Sequence, residues 1–217
     1  MLSTEYRTIV ADDAEGGMSL RRQGFRLVEI LEVEGVPHHR YMRQLRPIAD
    51  WEAEIEARVA KGVALFKQGY NCSQSVAMAF ADWYDVPMEL MARLSASYGG
   101  GIGRMRETCG SALGIFMLAG LEVASVPANA TIKGETYAVV QRLAADFKAV
   151  TGSIVCKDLL GLNKQRADGS IPEIVICATP EARTDEYYRK RPCIRMVETA
   201  IRVYMNYLRE LKNYATV

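Results

Sequence analysis

Apolar residues recur at steps of three and four through most of the chain after residue 50, and this period constrains the fold more than any other feature. In the first such segment, Trp51, Ile55, Val59 and Phe66 fall on one helical face. The period predicts an all-α fold, a compact multi-helix bundle over residues 51–217. Further helices are predicted at 72–84, 88–94, 107–121, 134–152, 156–161 and 192–213.

Residues 1–50 follow a different pattern and are predicted to be an N-terminal extension. The segment "GFRLVEILEVEG" alternates apolar and charged residues only loosely, so it fits a small β-hairpin about as well as a helix. A second irregular segment, an insert in the helical domain, is predicted at 163–190, where "IVICA" can form a brief strand. One domain with these two additions is expected, because 217 residues are enough for one sizeable core.

Composition and charge argue against several classes of function. The formal net charge is +1, from 27 Lys and Arg against 26 Asp and Glu, so no charge excess points to a nucleic-acid partner. The longest run of apolar residues and glycine, 112–121, is far shorter than the roughly 18 residues that span a bilayer, so no membrane insertion is expected. The N-terminal "MLSTEYRTIVADDAEGG" carries acids where a secretory signal needs basic and apolar residues, which predicts a cytoplasmic protein.

The five cysteines are the residues best suited to chemistry. An odd number without a secretory signal argues against a disulfide framework, so they are expected to be free thiols, metal ligands or redox groups. Four of them, the helix-start cysteines Cys72, Cys109, Cys156 and Cys193, each open a predicted helix, where unpaired N–H groups and basic neighbours are expected to lower the thiol pKa. No two are spaced C-x-x-C, so a common site must be assembled by the tertiary fold. Cys177, in the insert, is interpreted as a buried structural residue or a spare thiol.

Four segments of the chain resemble one protein family. In their order and their cysteines, "GYNCSQSV", "YGGGIGRMRETCGSALG", "CKDLLG" and the "PC" before the last helix are similar to the C_GCAxxG_C_C family of redox-active bacterial proteins. The resemblance covers about residues 55–210 and implies that the four helix-start cysteines are the functional set, whereas Cys177 matches nothing. Ser111 stands where the family motif CGAxxG has alanine, and the extension and the insert are further departures.

An iron-sulfur centre is the expected cofactor, with Cys72, Cys109, Cys156 and Cys193 as both the redox-active and the metal-binding residues, because four thiolates are the usual ligands of such clusters. A related domain of split-Soret cytochromes has a cysteine group to which an iron-sulfur centre is ascribed, but the present chain has no C-x-x-C-H for haem. Glycines that let the backbone approach a cluster and donate N–H groups to it are also expected. These cofactor-binding residues are Gly100, Gly101, Gly103 and Gly110, and Gly110 with Gly114 is also spaced for close helix contact.

Two alternatives stay open at this point. The four cysteines can form a metal-free thiol/disulfide oxidoreductase, or a structural zinc site that only holds helices together. Whether the protein is an enzyme stays open with them. The sequence does not identify the redox partner, and a homodimer is expected from the apolar helix faces and from the related cytochrome domain.

Overall fold

The N-terminal part of the chain is a three-stranded antiparallel sheet. The computed structural model describes residues 3–23, 25–45, 48–124, 130–171, 173–174 and 176–213. The strands β1 (Ser3–Val10), β2 (Arg26–Val33) and β3 (Val36–Leu45) lie in the order β1-β3-β2, and helix α1 (Ala14–Arg22) connects β1 to β2. The prediction of an all-α fold is therefore wrong, and the fold is mixed, with helices and a sheet.

The turn between β2 and β3 explains how this sheet forms. Glu34 and Gly35 have φ values of 52° and 78°, the left-handed conformation that a two-residue hairpin turn requires at both positions. Val33 and Val36 pair directly across the turn. The small β-hairpin considered for the extension is present, and β1 adds a third strand by pairing with β3 from Ser3↔Leu45 to Val10↔His38.

The helices predicted after residue 50 are present, and the structure adds one inside the insert. The brief strand predicted at 174–178 is not found at the residues of that segment that the structure describes. The bounds are α2 (Trp51–Lys67), α3 (Cys72–Ala79), α4 (Met88–Ser95), α5 (Gly110–Val123), α6 (Ala130–Thr151), α7 (Cys156–Leu159), α8 (Asp185–Lys190) and α9 (Cys193–Asn213), with short 3₁₀ helices at Ala81–Trp83 and Ala96–Tyr98.

The core of the helical part lies where α3, α5 and α9 meet, with α2 and α6 packed around them. In α5, Ala112, Ile115 and Leu118 have no exposed surface, and Ile201 and Tyr204 of α9 are equally buried. Each large apolar side chain removed from water in this way contributes about 1.5–3 kcal/mol to stability. In the part of the chain that the structure describes, no helix has both the length and the apolar character needed to cross a membrane.

Gly114 brings α5 into close contact with α3, as its spacing from Gly110 predicts. A methyl carbon added at Gly114 would lie 2.8 Å from Cβ of Val76 and 3.2 Å from the carbonyl oxygen of Ser73. We expect Gly114→Ala to lower the free energy of unfolding by about 1–3 kcal/mol, because the packed interface has no room for the added group. Urea unfolding of the variant and the wild type measures this difference.

Gly120, in the same helix, is the matched control. A methyl carbon added there meets no atom within 4 Å. Alanine is a better helix former than glycine by up to about 1 kcal/mol, so Gly120→Ala is expected to be neutral or stabilising. Equal destabilisation by both substitutions would contradict the close contact of α3 and α5.

Candidate functional site

The four helix-start cysteines line a single cavity of about 310 Å³. Cys72, Cys156 and Cys193 are the first residues of α3, α7 and α9, and Cys109 immediately precedes α5. The four helix starts predicted from the sequence are confirmed, whereas the redox and metal-binding roles of these cysteines stay predictions. All five cysteines of the chain are free thiols in the structure.

A short antiparallel bridge positions Cys109 against Cys156. Thr108 pairs with Val155, and the backbone N–H of Cys156 donates to the carbonyl oxygen of Glu107 at an N···O distance of 2.6 Å. In return, the N–H of Cys109 donates to the carbonyl oxygen of Ile154 at 2.7 Å. These backbone hydrogen bonds therefore hold the main chain of Cys109 next to that of Cys156.

Capping by the preceding residue fixes the position of Cys72. The Asn71 side chain accepts a hydrogen bond from the N–H of Gln74, and the Gln74 side chain accepts one from the N–H of Asn71, both at 3.0 Å. This capping box satisfies two of the N–H groups that a helix start leaves unpaired. Helix α3 therefore begins at Cys72, and the prediction that Asn71 is its N-cap is confirmed.

The glycine-rich segment before Cys109 is a run of left-handed backbone. Gly100 and Gly101 have φ values of 66° and 74°, and the β-branched Ile102 follows at 59°. A left-handed conformation at a β-branched residue is costly, and such strain is typical of functional sites. The N–H of Glu107 donates to the carbonyl of Gly101, which brings this segment back to the bridge beside Cys156.

The four glycines predicted to contact a cofactor fall into two groups. Gly100 and Gly103 line the cavity. Gly101 and Gly110 instead lie directly behind cysteines, since a methyl carbon at Gly101 would lie 2.6 Å from Cβ of Cys156. At Gly110 the same group would lie 2.5 Å from the sulfur of Cys72. These two positions need glycine because the neighbouring cysteine occupies the space of a side chain.

Burial raises the pKa of the Cys109, Cys156 and Cys193 thiols, and the negative charge of neighbouring thiolates raises it further. The pKa of Cys193 is raised to about 12. The backbone N–H groups of Ser111 and Ala112 do lower the pKa of Cys109, but by less than burial raises it. The prediction that helix starts lower these pKa values is wrong, because desolvation outweighs the helix dipole here.

Arginines outnumber carboxylates among the described residues that line the cavity. Arg106 is 6% exposed and donates a hydrogen bond to the Cys156 thiol, which lowers the pKa that burial raises. Glu181 forms ion pairs with Arg104, at an N···O distance of 3.7 Å, and with Arg191. A wall with an excess of positive charge favours negatively charged contents.

The insert supplies part of the cavity wall, through residues that include Pro180 and Arg183. The Arg183 guanidinium donates to the carbonyl oxygens of Phe66, at 2.8 Å, and Tyr70, at 3.0 Å, and lies 4.3 Å from the centre of the Phe66 ring. Sequence reasoning did not connect the insert with the cysteines. The basic residues before Cys193 indicated that Arg191 lies near a cysteine. No feature of the sequence around Arg183 indicates that this residue lines the cavity.

Cys177 lies outside this site. It is exposed and does not line the cavity, so the interpretation of it as a buried residue is wrong and that of a spare thiol remains. Hydrogen bonds from the backbone and side chain of Thr179 lower the pKa of its thiol. Its carbonyl oxygen accepts a hydrogen bond from Nε of Arg104 at 2.8 Å, which ties the insert to the glycine-rich segment.

The size and the donor set of the cavity fit a thiolate-bound group of several atoms. Its volume of about 310 Å³ is many times the roughly 30 Å³ that one water molecule occupies in the liquid. Among the described residues, no group of three or more His, Cys, Asp or Glu side chains is placed so as to hold one metal ion. Thiolates are the ligands that iron-sulfur clusters take, and the surrounding arginines would balance their negative charge.

Comparison with known proteins identifies a family that matches the helical part of the chain. The family model described as "Putative redox-active protein (C_GCAxxG_C_C)" matches residues 70–207, a range that contains all four cysteines of the cavity. No curated protein and no solved structure matches the chain.

Proposed function

Because the chain belongs to the C_GCAxxG_C_C family, we propose that Cys72, Cys109, Cys156 and Cys193 form one redox site that holds an iron-sulfur cluster. The observation that carries this proposal is that all four thiols line the same cavity although they come from four separate helix starts. When bound, such a cluster takes up and releases single electrons. The protein would thus act in electron transfer, as an oxidoreductase or as a carrier for one.

The residues around the thiols have complementary roles in this proposal. Leu159, Leu160 and Met196 line the cavity and keep water from part of its wall. Arg106 and Arg191 place positive charge beside the thiolates that metal binding would create. The half-buried Cys72 and Cys193 mark the side from which electrons would be exchanged.

A one-electron carrier is the partner that this function requires, and a cytoplasmic location, where thiols stay reduced, is part of the proposal. The homodimer, and the domain boundary at residue 50, stay predictions.

The test is to purify the protein without oxygen and to measure iron, acid-labile sulfide, zinc and the visible spectrum. We expect iron and sulfide in equal, near-integral amounts and a visible absorption band that dithionite bleaches. Zinc without iron, even after anaerobic reconstitution with iron and sulfide, would contradict the cluster and support a structural zinc site. Four titratable thiols with no metal after the same reconstitution would contradict both metal sites.

One observation favours a metal-free thiol/disulfide function as the second candidate. Cys72 is the one thiol whose negative charge, when it is ionised, raises the pKa of Cys109, of Cys156 and of Cys193, so it lies near all three and can pair with any of them. Two thiols lose two electrons and two protons when they form a disulfide, and a disulfide such as oxidised glutathione accepts them. Mass spectrometry of the metal-free protein after such oxidation should show a disulfide that joins Cys72 to Cys109, Cys156 or Cys193, and pairing that leaves Cys72 out or joins the thiols at random would argue against this candidate.

A further inference from the structure

Ser111 carries a buried hydroxyl group that the protein leaves without a partner. The residue has no exposed surface, lines the cysteine cavity, and its Oγ forms no hydrogen bond with any residue that the structure describes. A buried hydroxyl without a partner costs free energy, so it usually indicates a missing water, ion or ligand. Here the cavity is where that partner would lie.

Ser111 lies in the first turn of α5, two residues after Cys109. Its backbone N–H is one of two at the start of the helix that hydrogen-bond the Cys109 thiol. The N–H groups and the positive end of the helix dipole favour negative charge at this place. The hydroxyl adds a donor to this N-terminus that the alanine of the family motif cannot provide.

Arg106 is a second donor in the same cavity. It is 6% exposed, and no carboxylate lies within 4 Å of its guanidinium in the described part of the chain. A buried cation is stable only when a negative charge or strong acceptors lie beside it. The Cys156 thiol accepts one hydrogen bond from Arg106, but a neutral thiol does not balance the charge.

We propose that the Ser111 hydroxyl and the Arg106 guanidinium form an anion subsite in the cavity wall, which donates to the negatively charged sulfur atoms of the redox group and raises its reduction potential. The subsite rests on the proposed function. Reduction of an iron-sulfur cluster adds one electron and breaks no bond, so the negative charge of the cluster increases by one. Donors and positive charge favour that more negative state, which is why they raise the potential.

Ser111→Ala tests the hydroxyl, and Ser73→Ala is its matched control. Ser73 is equally buried, also has an Oγ without a hydrogen-bond partner, and follows Cys72 directly, but it does not line the cavity. In redox titrations with dithionite as the reductant, we expect Ser111→Ala to lower the equilibrium constant of reduction about tenfold, or about 59 mV for one electron. Ser73→Ala is expected to keep the wild-type potential.

Arg106 is tested by removing and by keeping its charge. Arg106→Gln is expected to lower the potential at least as much as Ser111→Ala, and Arg106→Lys, which keeps the positive charge, to restore most of it. If Arg106→Gln lowered the potential only because the structure is lost, Arg106→Lys would not be expected to restore it. If Ser111→Ala has the wild-type potential, or if Ser73→Ala shifts it equally, the subsite is refuted even though the cluster is present.

The failure of the cluster is distinguishable from the failure of the subsite. If the wild type contains no iron and sulfide but has a thiol/disulfide couple, the same variants are titrated against glutathione. A tenfold change is then about 30 mV, because two electrons are transferred. A shift in Ser111→Ala alone would support the subsite without the cluster, and a protein with neither couple would overturn both proposals.

Discussion

Protein with the substitution Cys109→Ala, purified without oxygen, is expected to contain at least about tenfold less iron and acid-labile sulfide than the wild type, because every ligand of a four-thiolate site is needed. Cys109 is 5% exposed, and its N–H donates to the carbonyl oxygen of Ile154 at 2.7 Å. The hydrogen bond fixes the main chain at Cys109, and its thiol lines the cavity. Metal analysis and the visible spectrum measure the loss, and circular dichroism shows whether the helices are retained.

Cys177→Ala is the matched control for this loss. Cys177 is exposed and lies outside the cavity, so its removal should leave iron, sulfide and the visible band unchanged. The cluster proposal would be refuted by full iron and sulfide in Cys109→Ala. Equal loss in both variants would indicate a general effect of removing a thiol rather than the loss of one ligand.

The sequence predicted the position of the thiols well because helix capping is a local property. Asn71 and Gln74 form their capping box within four residues, so the start of α3 at Cys72 could be inferred without the fold. Pro192 likewise marks the start of α9 at Cys193, since proline is favoured in a first helical turn. That the helix starts surround one cavity depends on how the helices pack. A shared site was predicted from the position of four cysteines at helix starts and from the family resemblance, but neither gave its geometry.

The chemical state of the thiols could not be predicted from local sequence. The helix start and the basic neighbours of Cys193 predict a lowered pKa, but burial of the side chain raises it to about 12. Conversely, Cys177 lies in the apolar stretch "EIVICA" and is exposed, because the insert runs over the surface there. Burial is set by residues distant in the chain, so alternation and composition do not determine it.

The first strand of the sheet could not be predicted from local sequence either. In β1 the consecutive residues Tyr6, Arg7 and Thr8 are all exposed, so the strand lacks the clear alternation of buried and exposed residues that identifies a strand in a sequence. Its pairing with β3, from residues more than 25 positions away, is what makes it a strand. Because β1 is a strand only through this distant partner, the period of apolar residues in the sequence could not predict it.

One added methyl group at Gly101 is expected to remove most of the bound iron and sulfide. Gly101 has a φ of 74°, and a methyl carbon there would lie 2.6 Å from Cβ of Cys156 and 2.8 Å from the backbone nitrogen of Glu107. Both atoms belong to residues of the short antiparallel bridge, where the N–H of Cys156 donates to the carbonyl oxygen of Glu107. Since the contacts are with backbone and with a short side chain, Gly101→Ala must displace Cys156 from the cavity wall. Iron and sulfide per chain measure the effect.

Gly35→Ala separates this contact from the backbone strain that accompanies it. Gly35 has nearly the same φ, 78°, but lies in the hairpin turn, where an added methyl carbon meets no atom within 4 Å. Both alanines suffer the left-handed strain of about 1–2 kcal/mol, so both should unfold at lower urea concentration. Only Gly101→Ala should lose iron and sulfide, because only there does the new group push against a proposed ligand. Full occupancy in Gly101→Ala would mean that Cys156 can move without losing the cluster, and hence that it is not a required ligand.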